Sequence, residues 1–307
     1  MPLPIVAVVG ATASGKSDLA LDLAERLGGE IVNTDAMQVY RGMDIGTAKL
    51  PVAARRGIPH HLLDLLEVAE PATVAEFQRW ARAVIADCRA RGVVPVLVGG
   101  SALYTRAILD EFEFPGTDAA VRARYDAALV ELGPEALHQR LAEIDPAAAA
   151  GIIPTNGRRI VRALEVIEIT GRPFTATLPP ARYADAATVQ VGVDIDRATL
   201  DDRIAARVGR MWEQGFVEEV RALVPRGLRE GLTANRALGY RQVLAFLDGE
   251  ISEAEAREQT VTGTRRFARR QDSWFRKDTR ITWVDHDSPD RVEVALGAIG
   301  QAADTHA

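Results

Sequence analysis

The chain has 307 residues, of which 47% are apolar and 26% are charged, and its formal net charge is −6. This composition excludes a disordered chain and predicts one large folded domain with an insertion, or two domains. The single cysteine, Cys88, excludes an internal disulfide framework and a cysteine-rich zinc site. No stretch is apolar for long enough to span a membrane, and the first apolar run lacks the basic segment of a signal peptide, so we expect a cytoplasmic protein.

The first predicted elements are a short strand over residues 5–9 and a helix whose apolar positions run from Leu19 to Leu27. Between them, residues 10–17 match G-x-x-x-x-G-K-[ST]. Such a loop binds phosphate with its backbone N–H groups and the helix N-terminus. In this pattern Lys16 would neutralise outer phosphate oxygens and the Ser17 hydroxyl would hold Mg²⁺. The alternative is an ordinary glycine-rich turn. The candidate diphosphate ligands are Gly10, Ala11, Thr12, Ala13, Ser14, Gly15, Lys16 and Ser17.

A second strand is predicted over residues 30–33, and Asp35 follows it. If this strand neighbours the first, Asp35 lies beside the phosphate-binding loop, at the carboxyl edge of a parallel sheet. A helix cap or a loop carboxylate is the alternative. Gln38 could hydrogen bond to a base edge. Residues 41–62 are predicted to form an extended loop, in which we expect His60 and His61 to be structural rather than metal ligands.

A buried strand is predicted over residues 93–98, and it ends in Gly99, Gly100 and Ser101. In ATP-hydrolysing enzymes such a strand often ends in an acidic Mg²⁺ ligand. The glycines therefore argue against an ATPase and favour a site where something passes close to the backbone. A tight strand-to-helix turn is the alternative.

Residues 117–185 have a different character, because β-type runs disappear and Ala, Arg and Glu dominate. We predict a helical insertion with helices over 119–132, 135–143 and 158–170. Strand character returns over residues 189–193, before a helix that carries Arg203, Arg207 and Arg210 on one face. Such a face is usually solvated, but beside a diphosphate it would be a clamp.

The last informative stretch is basic and aromatic. Residues 257–280 contain eight basic and three acidic side chains. Basic residues interleaved with aromatic ones are typical of a surface that binds a polyanion with stacking bases. The alternative is a solvated helix with Trp274 and Phe275 in the core.

An ordered set of motifs now resembles one known family, the tRNA dimethylallyltransferases, over nearly the whole chain. The motifs are Gly-x-Thr-Ala-Ser-Gly-Lys-Ser (10–17), Asp-x-x-Gln-Val-Tyr (35–40), Met-Asp-Ile-Gly-Thr-Ala-Lys (43–49), Gly-Gly-Ser-x-Leu-Tyr (99–104), Gly-Tyr-Arg-Gln (239–242) and Arg-Arg-Gln-x-x-Trp (269–274). The resemblance implies an α/β fold, with a P-loop NTPase-like parallel sheet core at 1–116 and 186–307 that includes C-terminal RNA-binding helices. A small all-helical insertion domain would occupy 117–185.

The resemblance also implies the reaction and the partners. A dimethylallyl group would pass from dimethylallyl diphosphate to N6 of adenosine 37 in the tRNA anticodon stem-loop, with Mg²⁺ as cofactor. The protein would be a monomer without membrane contact. Ala11 departs from the family, which usually has proline there, although the backbone carbonyl is the same.

On this resemblance Asp35 matches the general base, and Lys16 and Arg207 complete the catalytic set. Residues 12–17 match the diphosphate-binding segment. Positions that match tRNA contacts are Asp35, Ala36, Met37, Gln38, Ser101, Arg122, Asn156, Arg158, Arg159, Gly239, Tyr240, Arg241, Gln242, Arg266, Arg269, Arg270 and Trp274.

Three other functions remain open at this point. A P-loop kinase of nucleotides or metabolites would share the phosphate loop but would have no use for the basic helix. An AMP prenyltransferase would carry out the same chemistry on a free nucleotide. A non-enzymatic RNA-binding protein with a phosphate loop would not need Asp35.

Overall fold

The computed structural model describes residues 3–112, 114–174 and 180–305. It divides the chain into two compact units, residues 1–110 with 183–307, and residues 111–182. The predicted limits of the insertion, 117 and 185, lie close to those of the second unit. Residues 175–179 of the predicted insertion, and 1, 2, 113, 306 and 307 of the predicted core, lie outside the described residues.

The larger unit contains one six-stranded sheet in which all the paired strands are parallel, in the order β3-β2-β4-β1-β5-β6. The predicted α/β class is therefore confirmed. The strands are β1 (Ile5–Val9), β2 (Gly29–Asn33), β3 (His60–His61), β4 (Val94–Gly99), β5 (Thr188–Asp194) and β6 (Ile281–Asp285).

Helices of the larger unit cover both faces of this sheet. They are α1 (Lys16–Leu27), α2 (Val74–Ala90), α3 (Ala102–Leu109), α7 (Arg197–Glu213), α8 (Phe216–Leu223), α9 (Tyr240–Leu247), α10 (Glu253–Phe275) and α11 (Arg291–Thr305).

The core follows from side-chain alternation along the strands. In β1, Ile5, Ala7 and Val9 pack in a cluster with residues of α2, α8 and α9, whereas Val6 and Val8 pack with α1 and α11. All five residues are buried. A strand that is apolar at every position is what a sheet covered on both faces requires.

The smaller unit contains α4 (Ala119–Ile144), α5 (Pro146–Ala150) and α6 (Gly157–Thr170). A break at Gly133, with φ 80°, divides α4 where the sequence predicts two helices. Tyr125, Leu137, Leu141 and Ile160 form its own core. Across the described ranges, no helix of either unit combines the length and apolar character needed to cross a membrane.

Candidate active site

The phosphate loop, residues 10–17, connects β1 to α1. Gly10, Ala13 and Gly15 have φ angles of 148°, 66° and 97°. Glycine adopts such positive angles without strain, and at Gly10 an added Cβ would also lie 3.3 Å from the carbonyl oxygen of Val193. Gly15 is the N-cap of α1, so the loop ends at a helix N-terminus, where a partial positive charge favours anions.

Lys16 lies at the start of α1 with its ammonium group turned back over the loop. Its Nζ donates a hydrogen bond to the carbonyl oxygen of Ala11 at 3.2 Å. The pKa of Lys16 is lowered to about 8, chiefly by burial and next by the nearby Arg207 charge, while the Asp35 charge acts in the opposite direction. The loop thus holds a desolvated cation that a bound anion would stabilise in its charged form.

The arginine face of α7, defined as Arg203, Arg207 and Arg210, approaches the same loop. Arg203 Nη1 donates to the Ser14 carbonyl oxygen at 3.4 Å, and Arg207 Nη1 donates to the Thr12 hydroxyl at 3.3 Å. All three arginines line a cleft of about 780 Å³ together with Gly15, Lys16 and Ser17. Arg203 and Arg210 are exposed and Arg207 is half-buried, so the face is partly solvated and also has the position of a clamp.

The opposite wall of the cleft comes from residues 44–51, which the sequence predicts only as part of a loop. The Glu219 carboxylate on α8 accepts hydrogen bonds from the backbone N–H groups of Asp44, Ile45 and Gly46 at 3.0, 2.6 and 3.1 Å. It also accepts one from the Tyr240 hydroxyl at 2.6 Å. These four bonds hold residues 44–46 of the wall in place. The predicted loop over residues 41–62 also contains the short strand β3.

Lys49 in this wall is not available to a ligand in the way that Lys16 is. It is buried, and its Nζ donates to the Tyr40 carbonyl oxygen, to Asp44 and to Asp64 at 2.9, 2.6 and 2.6 Å. With three acceptors its donors are satisfied. Lys49 therefore stabilises the wall rather than binding an anion.

Asp35 lies just beyond β2, but by a different arrangement from the predicted one. β1 and β2 are not neighbours, because β4 pairs with both of them. The Asp35 charge nevertheless raises the pKa of both Lys16 and Arg207, against the larger effect of burial. Its Oδ1 accepts the N–H of Met37 at 2.9 Å. The carboxylate is thus fixed in a turn near the two cations.

Residues after Asp35 differ in how much they can offer a ligand. Ala36 is buried, and Met37 and Gln38 are half-buried. Gln38 Nε2 donates to the carbonyl oxygen of Thr47 at 3.1 Å. This bond occupies the Nε2 group of Gln38, whose amide the sequence predicts to hydrogen bond to the edge of a base.

The glycine turn after β4 is filled by protein. A Cβ at Gly99 would overlap Thr34, and one at Gly100 would overlap the side-chain amide of Gln271. Gln271 is buried on α10, where its Oε1 accepts the Thr12 N–H at 2.9 Å and its Nε2 donates to the Gly100 carbonyl oxygen at 2.7 Å. The close neighbours of these glycines are side-chain and backbone atoms of the protein itself. Half-buried Ser101 follows as the N-cap of α3.

Helix α10 divides its residues between core and surface. Gln271 and Phe275 are buried, whereas Arg266, Arg269, Arg270 and Trp274 are exposed. The solvated-helix alternative, which puts Trp274 in the core with Phe275, is therefore wrong for Trp274. Arg269 is held by Asp201 at 3.3 Å, and the guanidinium of Arg270 lies 5.9 Å from the ring centre of Phe267.

Residues 239–242 are mostly interior, which limits their predicted contacts with tRNA. The Tyr240 side chain is fully buried, and the Gln242 Oε1 accepts the N–H of Gly239 at 2.9 Å, which caps α9. Arg241 is exposed. Tyr240 and Gln242 are thus part of the interior, and of the side chains at 240–242 only that of Arg241 is exposed.

The remaining predicted contacts belong to the smaller unit. Arg122 pairs with Asp126 at 3.1 Å and with the buried Glu165 at 3.2 Å. Asn156 caps α6 by accepting the Arg159 N–H at 3.3 Å, and Arg158 and Arg159 are exposed. Arg158 and Arg159 therefore lie on a solvated face, whereas Arg122 is tied to acidic neighbours.

Sequence reasoning missed Glu219 and assigned no role to Gln271, because each acts through a backbone partner far away in sequence. It also missed a cluster of Glu30, His61 and Cys88, whose ligand atoms lie within 4.8 Å of one another. The Glu30 carboxylate there accepts two bonds from Arg91 at 2.8 and 2.6 Å, and His61 Nε2 lies 2.7 Å away. Because the arginine supplies the positive charge, we interpret this cluster as structural.

The parallel sheet, the phosphate loop after β1 and the arginine-lined cleft define an α/β protein built around an anion site. A family model described as IPP transferase matches residues 38–278. The chain belongs to the IPP transferase family, and it is an enzyme of that family.

Relatives of known name resemble the chain along its whole length. It is 71% identical over 301 residues to a tRNA dimethylallyltransferase of Nocardioides sp., covering 98% of this chain and 97% of the relative. It is 61% identical over 307 residues to one of Thermobifida fusca, covering 98% and 95%. A solved tRNA isopentenylpyrophosphate transferase from Bacillus halodurans is 38% identical, with 99% of both chains covered and a TM-score of 0.73.

Proposed function

We propose that this chain transfers the dimethylallyl group of dimethylallyl diphosphate to N6 of adenosine 37 in the anticodon loop of tRNA. The observation that supports this proposal is that Lys16 and Arg207 both hydrogen bond to the phosphate loop, where the Asp35 charge acts on the pKa of each. Two cations suit a departing diphosphate, and a carboxylate suits the proton that the amine must lose. The names of the relatives agree with this chemistry.

In the proposed reaction the N6 amine attacks the first carbon of the dimethylallyl group. The carbon–oxygen bond to the diphosphate breaks, and its electron pair leaves with the diphosphate. Asp35 accepts the proton that N6 releases, as a general base. Its turn with Met37 holds the carboxylate in one orientation before the RNA arrives. The products are N6-isopentenyladenosine in tRNA and diphosphate.

Negative charge grows on the leaving diphosphate as the bond breaks. Preorganised cations act most strongly on charge that develops in a water-poor site. Lys16 and Arg207 meet this requirement, since burial lowers the pKa of each. Arg203 and Arg210 line the same cleft and would contact the outer oxygens.

Ser17 is the residue that we propose to hold Mg²⁺. It follows Lys16 and lines the cleft. Mg²⁺ in proteins usually takes one or two side-chain ligands and completes its shell with phosphate oxygens and water, so one hydroxyl beside a diphosphate is a suitable donor set. When bound, the ion would neutralise charge on the leaving group.

The acceptor is proposed to be tRNA because of the exposed side of α10. Arg266, Arg270 and Trp274 are exposed there, which offers cations for phosphates and a ring for stacking. Adenosine 37 must flip out of the stacked anticodon loop to reach Asp35, as the target bases of other base-modifying enzymes do. We further propose that the enzyme acts in the cytoplasm as a monomer.

A kinase is the runner-up, because kinases share the phosphate loop. The buried strand β4 ends at Gly99 and is followed by Gly100, where a kinase-like site would have an acidic Mg²⁺ ligand. An AMP prenyltransferase is separated from our proposal by its acceptor alone.

The test is an incubation of the protein with dimethylallyl diphosphate, Mg²⁺ and bulk tRNA, followed by nucleoside mass spectrometry. We expect N6-isopentenyladenosine, which should form about 10²- to 10⁴-fold more slowly when Asp35→Asn replaces the wild type. Parallel reactions with AMP as acceptor and with ATP as donor should give no prenylated nucleotide and no phosphorylated product. Prenylated AMP without prenylated tRNA would overturn the choice of acceptor.

A further inference from the structure

We propose that Gln271 is a positioning residue that fixes the phosphate loop to the helix with the exposed arginines. The inference rests on the proposed function, because it concerns turnover in the same site. Gln271 lies on α10 between Arg270 and the exposed Trp274, but its own side chain is buried. One side chain therefore links the proposed RNA surface and the diphosphate site.

Both ends of the Gln271 amide bind backbone in the two loops of the site. Its Oε1 accepts the N–H of Thr12 in the phosphate loop at 2.9 Å. Its Nε2 donates to the carbonyl oxygen of Gly100 at 2.7 Å, at the turn after β4. A glutamine is matched to this task because one amide offers an acceptor and a donor.

The surroundings of the amide leave it a single position. Gly100 is needed because a Cβ there would overlap Nε2 of Gln271 and lie 3.2 Å from the carbonyl oxygen of Gly10. The two loops and the amide are thus packed against one another. An end-for-end flip of the amide would place its N–H group against the Thr12 N–H and its oxygen against the Gly100 carbonyl oxygen. Both hydrogen bonds would then be lost.

The residue held by Gln271 is part of the catalytic arrangement. The Thr12 hydroxyl accepts a hydrogen bond from Arg207 at 3.3 Å, and Arg207 is proposed to stabilise the leaving diphosphate. A shift of Thr12 would therefore shift both the loop and the guanidinium. Small misplacements of groups around a transition state cost up to about 100-fold in rate.

The test compares Gln271→Met, which keeps the shape and removes both bonds, with Gln190→Met. Gln190 is a matched control, because it is a buried glutamine in β5 whose Nε2 donates to the Tyr183 hydroxyl at 2.9 Å and to Asp278 at 3.2 Å. We expect Gln271→Met to lower kcat about 10- to 100-fold while the tRNA dissociation constant changes less than about twofold. Gln190→Met should leave both values near those of the wild type.

A second measurement, hydrogen exchange, does not depend on turnover. Hydrogen exchange of the peptide that contains residues 10–17 should be faster in Gln271→Met than in the wild type and in Gln190→Met, because the Thr12 N–H loses its acceptor. Gln271→Glu, which keeps an acceptor for this N–H, should restore slow exchange but not the rate, since it lacks the donor and adds a negative charge near the diphosphate.

The outcomes separate this inference from the proposed function. A wild type that does not prenylate tRNA refutes the function, and the exchange experiment still decides the role of Gln271. A wild type that prenylates tRNA, with Gln271→Met equal to Gln190→Met in kcat and in exchange, refutes the positioning role.

Discussion

Arg207 on α7 donates a hydrogen bond to the hydroxyl of Thr12 in the phosphate loop, with 3.3 Å between the two atoms. The two residues are 195 positions apart in sequence, and Arg207 also lines the cleft together with Lys16. The site is therefore assembled from a loop and a distant helix, and its function depends on both.

Replacing Arg207 by Lys should lower kcat about 10²- to 10³-fold, although the positive charge is kept. A guanidinium offers two parallel donors to a phosphate and a third direction to Thr12, whereas an ammonium is a compact point charge. Steady-state kinetics on tRNA measures this effect. Arg210→Lys, in the same cleft but exposed, should lose much less. Equal losses in the two variants would show that only the total charge of the cleft matters.

Asp35→Asn should lower turnover about 10²- to 10⁴-fold, the usual loss for a general base. The amide oxygen can still accept the Met37 N–H, so the turn should stay intact. Single-turnover rates and filter-binding of tRNA separate the two effects, and tRNA affinity should remain nearly constant. A variant with wild-type turnover would remove Asp35 from the proton transfer.

The affinity for the diphosphate donor should depend on pH through Lys16. Its pKa is lowered to about 8, so the ammonium is charged below pH 8 and loses its proton above it. Since the charged form binds the anion, the ionisation of Lys16 should leave kcat/KM for the donor unchanged at pH values well below 8. Above pH 8, kcat/KM should then fall up to about tenfold per pH unit. A pH profile of initial rates measures this.

The matched variant is Lys16→Arg, whose guanidinium stays protonated throughout this range. Its activity should be lower at all pH values, but the fall above pH 8 should be absent. The same fall in both enzymes would assign it to another group.

Charge reversal at Arg266 and Arg270 should weaken tRNA binding and flatten its dependence on salt. Each lost phosphate contact lowers the slope of log K against log salt by about 0.7 to 0.9. Arg269→Glu should have a smaller effect, because Asp201 already pairs with Arg269 at 3.3 Å. Arg257→Glu, also exposed on α10 but outside the predicted contacts, is the control. An unchanged slope in the double variant would move the RNA surface away from this helix.

Glu219→Gln should destabilise the protein by about 1–3 kcal/mol. The carboxylate accepts four hydrogen bonds, two at each oxygen, whereas the amide keeps only one acceptor oxygen. The KM for the donor should also rise, since Asp44 and Ile45 line the cleft. Urea unfolding and kinetics measure the two effects. Glu218→Gln removes only an exposed pair with Arg221 and should change neither.

The sequence predicted those elements whose signal is local. The strand over residues 5–9, the glycines around Lys16 and the helix predicted over 158–170 appear in the structure where the patterns placed them, within one residue for the helix. β6, α8, α9 and α11 were not predicted, although Gly215 and Gly239 stand as N-caps before α8 and α9. In β6, for example, Ile281 and Val284 are buried because each packs in one of two hydrophobic clusters built from residues distant in sequence.

The site was predictable in its residue types but not in its geometry. The position of β4 between β1 and β2 depends on how distant strands pair, which no local pattern encodes. Burial of Tyr240 depends on Phe216, whose ring centre lies 5.0 Å from its own. The role of Gln271 was likewise not predictable from a local pattern, because its partners Thr12 and Gly100 lie 259 and 171 positions away.

The most direct test of the central claim follows both halves of the donor in one reaction. Dimethylallyl diphosphate that carries one isotope in the prenyl group and another in the diphosphate is incubated with the enzyme, Mg²⁺ and tRNA. We predict one diphosphate released for each prenyl group recovered on adenosine 37, with no dependence on ATP. Release of single phosphate, or transfer of phosphate from ATP to any acceptor without prenylated tRNA, would contradict a phosphate loop that binds a departing diphosphate.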